Sequence, residues 1–336
     1  MSALTIQYHP GGVQLPRLQA WLDSRRAQPV GQRVFVSHAH TDHLGRHREV
    51  ILSTGTARLM RARLGGKRHE HVLPFSEPRT FEGPTMKYEV TLLPAGHVLG
   101  SAMAWIRAGD ETLLYTGDFR LRPGLAVEHC EPRSADTLIM ETTFGRPEYL
   151  FPPTEEVVAA IRRFCRDALA HNATPVLFAY SLGKSQELLQ HLGRAEFPVM
   201  LGEQAYALTR VYEQLGQSFP PYQKFDDARV SGHVVIGAPQ GDRSDLLARL
   251  GRARTAIVSG WGLDPGCRYR YQTDAAFPLS DHADFDELLE FVRRVAPKTV
   301  YTLHGFAADF AQTLRERGVD ARALSEPDQL GLPLIW

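Results

Sequence analysis

The sequence predicts a mixed α/β protein in which a β-rich domain is interrupted by an inserted α/β cassette. Up to about residue 140, short apolar runs are separated by glycine- and proline-containing turns, the texture of a sheet-rich fold. After Pro147, strand patterns alternate with helical ones, which implies a parallel sheet with helices on its faces. At the end of the apolar run Val34-Phe35-Val36, the stretch Ser37-His38-Ala39-His40-Thr41-Asp42-His43 packs three imidazoles and a carboxylate together. That density of borderline-soft ligands marks where the chemistry lies.

In the first part, strands are expected over 33–37, 50–53, 86–93, 102–107 and 112–116. Residues 107–111 read as a hairpin connection between the last two, and an apolar run at 136–140 ends on Glu141-Thr142-Thr143. In the second part, Thr154 is a suitable N-cap, Glu155 and Glu156 fill the first turn, and Val157, Val158, Ile161 and Phe164 recur at helical spacing. These place a helix at 154–171. A strand at 175–180, a Ser-Leu-Gly-Lys turn and a helix at 185–192 follow. Further on come a strand near Val199, a helix at 203–215, a strand at 230–236, a helix at 242–250 and a strand at 255–259. After Phe277 the pattern gives a helix at 285–295, a strand at 299–303 and a helix at 306–317. The expected plan is a first domain over 1–146, an insert over 147–270, and a return to the first domain over 271–336.

Composition limits the partners. Lys plus Arg and Asp plus Glu number 38 each, so the formal charge is zero, which argues against a broadly basic nucleic-acid binder. Cys130, Cys165 and Cys267 form no CxxC pair, which argues against a disulfide framework and for a reducing, cytoplasmic setting. Residues 1–12 lack a signal pattern, and no window reaches transmembrane length, so no membrane association is expected.

With strand-like residues before them, His38 and His40 point the same way, and a turn returns Asp42 and His43 beside them. Neutral imidazoles suit zinc, and the added carboxylate admits a second ion or a harder one such as manganese. Two further segments have the same strand-end context: Pro94-Ala95-Gly96-His97 and Tyr115-Thr116-Gly117-Asp118. Together they supply ligands for two divalent ions with a carboxylate able to bridge. A bridged pair lowers the pKa of a shared water and steadies the attacking and leaving oxygens of a displacement.

The series His38-x-His40-x-Asp42-His43, then His97, then Asp118, resembles the metal-binding motifs of the metallo-β-lactamase fold. The resemblance implies an αββα sandwich with a two-metal site at one edge. Asp23, in Trp21-Leu22-Asp23-Ser24, resembles the first motif of that fold, an aspartate that orients the metal loop. Glu141 in Glu141-Thr142-Thr143, His282 in Ser280-Asp281-His282-Ala283-Asp284 and His304 in Leu303-His304-Gly305 resemble motifs A, B and C of the β-CASP nucleases. That branch inserts an α/β domain between motifs A and B, where the texture changes here. By this resemblance His38, His40 and His97 hold one ion (Zn²⁺ or Mn²⁺), and Asp42, His43 and His304 hold the other. Asp118 bridges the two, and His282, oriented by Glu141, protonates the leaving oxygen.

Two turns are candidates for gripping phosphate. Ser181, Gly183 and Lys184 occupy a strand-to-helix turn, where helix N-terminal amides attract anions, and Ser259 and Gly260 end another insert strand. The chain also resembles bacterial ligase-associated DNA exonucleases and exonucleases related to mRNA 3′-end processing factors. These resemblances imply a nuclease, chiefly an exonuclease on single-stranded nucleic acid, with DNA favoured and a role in repair beside DNA ligase or helicase partners. Zero net charge fits a narrow cleft that neutralises few phosphates. His304 matches the RNA enzymes of the branch, so a ribonuclease is the alternative. A small-molecule hydrolase such as a lactonase or thioesterase is the second.

Overall fold

The computed structural model describes residues 4–193, 197–239 and 243–324. Asp242, expected to open a helix, and 325–336 of the expected return segment lie outside the described residues. The chain divides into two compact units, Met1–Tyr149 with His282–Trp336, and Leu150–Asp281.

The first unit is built on two sheets. One runs β1 (Gln7–His9), β2 (Gly12–Leu15), β3 (Ala20–Leu22), β4 (Arg33–Phe35), β5 (Glu49–Ser53) and β6 (His69–Leu73) in spatial order, with helix α1 (Thr54–Arg63) after β5. Before the insert, the other sheet receives β7 (Pro78–Glu82), β8 (Lys87–Pro94), β9 (Ala102–Ala108), β10 (Glu111–Tyr115) and β11 (Thr137–Glu141). After the insert come α7 (Phe285–Val295), β18 (Thr299–Leu303), α8 (Ala307–Glu316) and β19 (Asp320–Ala323), giving the spatial order β19-β18-β11-β10-β9-β8-β7.

Side-chain alternation explains the layering. In β4, Phe35 joins the core between the sheets, while Val34, with Val36 beyond it, packs on Ala57 and Met60 of α1. In β10 and β11, Leu113, Tyr115 and Ile139 face the same inter-sheet core, and Leu114, Leu138 and Met140 face α7 and α8. Strands buried on both faces read as unbroken apolar runs, as these do. The result is the helix–sheet–sheet–helix order that the resemblance implies. Helix α7 presents Phe285, Leu288, Phe291, Val292 and Val295 to the core, and Asp284 and Glu287 close its N-terminus as a reciprocal capping box.

The second unit is a six-stranded parallel sheet in the order β14-β13-β15-β12-β16-β17. Its elements are α2 (Thr154–Ala170), β12 (Thr174–Phe178), α3 (Lys184–Gly193), β13 (Val199–Leu201), α4 (Glu203–Gln214), β14 (Tyr222–Lys224), β15 (Val234–Gly237), α5 (Arg243–Ala248), β16 (Ala253–Val258), α6 (Cys267–Arg270) and β17 (Ala275–Phe277). Its C-terminal limit falls after Asp281 rather than at 270, because β17 pairs with β16 and so belongs to this sheet.

One close approach fixes the loop between β8 and β9. Gly100 has φ 77°, and a Cβ there would lie 2.5 Å from the Cα of Gly55 at the start of α1. Ser53 caps α1 by accepting from Thr56 N, and its hydroxyl donates to Gly100 O. A Gly100→Ala change therefore meets both a left-handed backbone and a backbone clash. Urea denaturation should show a loss of about 2–3 kcal/mol, against under about 1 kcal/mol for Gly65→Ala, whose Cβ would meet nothing within 4 Å.

Candidate metal centre

Strands β8 and β10 are each antiparallel to β9 and so run the same way, and β10, β11 and β18 are mutually parallel. The C-terminal ends of β8, β10, β11 and β18 therefore share one edge of the sheet. His97, Asp118, Glu141 and His304 lie at or just beyond those ends. The loop after β4 brings His38, His40, Asp42 and His43 to the same place.

Three imidazole nitrogens converge there. His40 Nδ1 lies 3.1 Å from His38 Nε2 and 3.1 Å from His97 Nε2. Asp118 Oδ2 lies 3.5 Å from His38 Nε2 and 3.8 Å from His97 Nε2. All four ligand atoms fall within 4.8 Å of one another. Four donors around one zinc at 2.0–2.1 Å would stand about 3.3 Å apart, so the residues fit a tetrahedral ion. The second expected set is more open. His43 Nε2 is 3.5 Å from Asp118 Oδ2 and 3.7 Å from Asp42 Oδ2, while the His304 ring centroid is 5.9 Å from that of His43.

The loops are held by their own polar groups. Asp23, at φ 46°, accepts from Ser37 N (2.8 Å), Ser37 Oγ (2.6 Å), His43 Nδ1 (2.9 Å) and Tyr115 Oη (2.9 Å). Ser37 Oγ also lies 2.9 Å from His38 Nδ1. With their Nδ1 atoms engaged, His38 and His43 present Nε2 to the site, which is the arrangement that steadies imidazole ligands. Gly117, at φ 54°, is forced by contact, since a Cβ would meet Ser37 Cβ at 2.4 Å. Ser101 Oγ accepts from the amides of His97 and Val98.

Electrostatics favour the ligand form of His38 and Asp118, whereas His43 is drawn toward its protonated form. Burial, with the neighbouring His43, holds His38 well below the usual imidazole range. Burial disfavours the charge of Asp118, but His43 and His282 outweigh it and hold its carboxyl well below the carboxylate range. Burial likewise opposes a proton on His43, yet Asp118, Asp23 and Asp42 around it push its pKa well above normal.

Beside this cluster, His282 Nδ1 lies 2.9 Å from Glu141 Oε1, and the His282 ring centroid is 4.6 Å from that of His97. Glu141 Oε1 also accepts from Phe119 N at 3.0 Å, and Oε2 accepts from Thr143 N at 3.1 Å. One carboxylate thus orients both the imidazole and the backbone next to Asp118.

The phosphate-grip candidates lie in the insert. Ser181, Gly183 and Lys184 follow β12, and Ser259 and Gly260 follow β16, its neighbour in the sheet. Lys184 departs from expectation. It is 2% exposed, and its ammonium donates to Leu279 O (2.9 Å) and pairs with Asp281 Oδ1 (2.8 Å), so it fastens the segment before His282 rather than presenting an exposed cation. Ser259 Oγ accepts from Trp261 N as the cap of a short 3₁₀ turn.

Residues 275–324 match the family described as RMMBL, the Zn-dependent metallo-hydrolase RNA specificity domain. A protein of Opitutus terrae named probable DNA ligase is 55% identical over 96% of this chain, which spans 31% of that relative. The 5′ exonuclease Apollo of Mus musculus is 32% identical over 85% of this chain and 53% of its own length, and the DNA cross-link repair protein SNM1 of Arabidopsis thaliana is 26% identical over 79% and 59%. The chain is thus similar to metallo-hydrolases and to nucleases of the β-CASP type. It spans 31% to 59% of the length of these relatives. A crystal structure of a protein of unknown function from Enterococcus faecalis V583 shares the fold at TM-score 0.59, with 16% identity over 88% of this chain and 80% of that one.

Sequence reasoning missed Ser37, Tyr115 and Thr142. Tyr115 ends β10 facing inward, and Thr142 Oγ1 donates to the carbonyl of His304 (2.7 Å), a residue at φ 62°. The adjacency of Ser37 to His38 was the available signal. Asp23→Ala removes the acceptor of four hydrogen bonds without touching an ion directly. Chelator competition should show metal affinity reduced about 10–100-fold.

Proposed function

We propose that this chain is a metal-dependent phosphodiesterase that acts as an exonuclease on single-stranded nucleic acid, DNA in preference, in DNA repair. The observation that carries the reading is the Glu141–His282 pair, whose ligand atoms lie within 4.8 Å of each other and of Asp118. Hydrolysis of a phosphodiester expels an alkoxide, which needs a proton. A carboxylate-held imidazole beside the metal cluster meets that need.

His38, His40, His97 and Asp118 would hold one divalent ion, and Asp42, His43 and His304, with Asp118 bridging, the other. Bound ions supply Lewis acidity at a phosphoryl oxygen and lower the pKa of a nearby water. The protein's own work is orientation and proton supply. Glu141 engages His282 Nδ1, which leaves Nε2 to give its proton to the departing oxygen. The rings of Phe144 and His97, at centroid distances of 6.0 Å and 4.6 Å, hold the imidazole in place. Ser181, Gly183, Ser259 and Gly260 are the proposed backbone contacts to the strand, at the C-terminal ends of adjacent parallel strands.

Relatives named 5′ exonuclease and DNA cross-link repair protein support DNA as substrate. The Opitutus relative named probable DNA ligase supports action beside a ligase. A ribonuclease is the second reading, favoured by the match of 275–324 to a domain described by RNA specificity.

Matched 5′-labelled single-stranded DNA and RNA oligonucleotides with Mn²⁺ or Zn²⁺ test the proposal. Metal-dependent release of short labelled products from DNA is expected, and cleavage confined to RNA would move the assignment to RNA processing. Asp118→Ala should abolish turnover. His282→Ala should lower kcat about 10²–10⁴-fold with KM changed far less. Full activity in either variant overturns the mechanism.

A further inference from the structure

The loop that carries Asp118 and the segment that carries His282 are zipped together by more than Glu141. Ala283 N donates to Phe119 O, and Arg122 N donates to Glu287 Oε1 at 2.6 Å. The Arg122 guanidinium then spans the segment. Its Nη1 donates to Asp284 Oδ2 at 3.2 Å, and its Nη2 lies 3.1 Å from Glu287 Oε2 and 3.4 Å from the carbonyl oxygen of His282 itself.

Asp284 and Glu287 are the two partners of the α7 capping box, so two carboxylates crowd the helix start just after His282. Their side chains are 10% and 12% exposed, too little for water to screen them fully. A planar guanidinium meets several oxygens at fixed angles, which an ammonium does not.

We propose that Arg122 is a positioning residue for the reaction: it clamps the start of α7 to the Asp118 loop and thereby sets the His282 imidazole against the metal cluster. The inference rests on the nuclease reading and on His282 as proton donor. Arg122 touches no reacting atom. Its effect passes through the carbonyl of His282 and the carboxylates that follow.

A double-mutant cycle on the metal-loaded protein separates this from a general loss of fold. Single-turnover rates on a 5′-labelled DNA oligonucleotide are measured for the wild type, Arg122→Gln, His282→Ala and the double variant, with bound metal and Tm recorded for each. Arg122→Gln is expected to lower kcat about tenfold or more with KM nearly unchanged, yet to cost under about threefold where His282 is already alanine. Arg122→Lys should recover part of the loss at best. Should Arg122→Gln fold poorly, Arg122→Lys carries the same cycle. Equal losses in both backgrounds, or a loss that follows metal content, overturn the inference while leaving the nuclease reading intact. An inactive wild type, or a fully active His282→Ala, overturns that reading instead.

Discussion

The buried carboxylate of Asp23 fastens the whole candidate site. Its four donors come from the loop after β4 and from Tyr115 at the end of β10, so it ties one sheet to the other where they open toward the histidine–aspartate cluster. The interaction also sets chemistry at one remove, because its grip on Ser37 and His43 decides which ring nitrogens face the site. Without that acceptor, a fully buried Tyr115 hydroxyl would lose its partner, at a cost of about 1–3 kcal/mol. Burial already pushes the Tyr115 phenol well above its usual pKa, with Asp23 adding to the effect. The tyrosine is therefore a committed donor.

Charge balance at the cluster follows from the same architecture. Three imidazoles and Asp118 make a compact donor set, whereas the Asp42–His43–His304 side is looser and includes a histidine in a left-handed backbone. Gly305 next to it has φ 54°, and a Cβ there would meet Thr143 Cα at 2.4 Å. The end of β18 is thus pressed against the end of β11, and His304 reaches the site through a tight turn rather than a free loop.

Much of this was legible in the sequence because chemistry and periodicity coincide. His38, His40 and His97 read as ligands since each follows an apolar run, and α7 read cleanly because its apolar spacing and capping residues agree. The long apolar strands β8 to β11 were equally plain. Helix α1 was not, since Arg58, Arg61 and Arg63 obscure a narrow buried face of Thr56, Ala57, Leu59 and Met60. The short or polar strands β14 (Tyr-Gln-Lys) and β19 (Asp-Ala-Arg-Ala) gave no pattern, because sheet edges need little apolar surface. Lys184 misled for a physical reason: a lysine in a helix-start turn resembles an anion grip until a nearby carboxylate, here Asp281, claims it. Arg122 was invisible because its partners lie beyond the insert.

The pairing of β11 with β18 bears on how the chain assembles. The two strands are neighbours in register, Thr137 beside Thr299 through Glu141 beside Leu303, yet the entire insert lies between them in sequence. During synthesis β11 emerges with Leu138, Ile139 and Met140 along an edge that nothing yet covers. Closing so long a loop is entropically expensive and slow. The insert, with its own sheet and core, offers a route: once folded, it replaces a long flexible tether with a compact body. Until β18 docks, the β11 edge stays open to pairing with another chain, so nascent copies cut short before residue 299 are the form most exposed to aggregation.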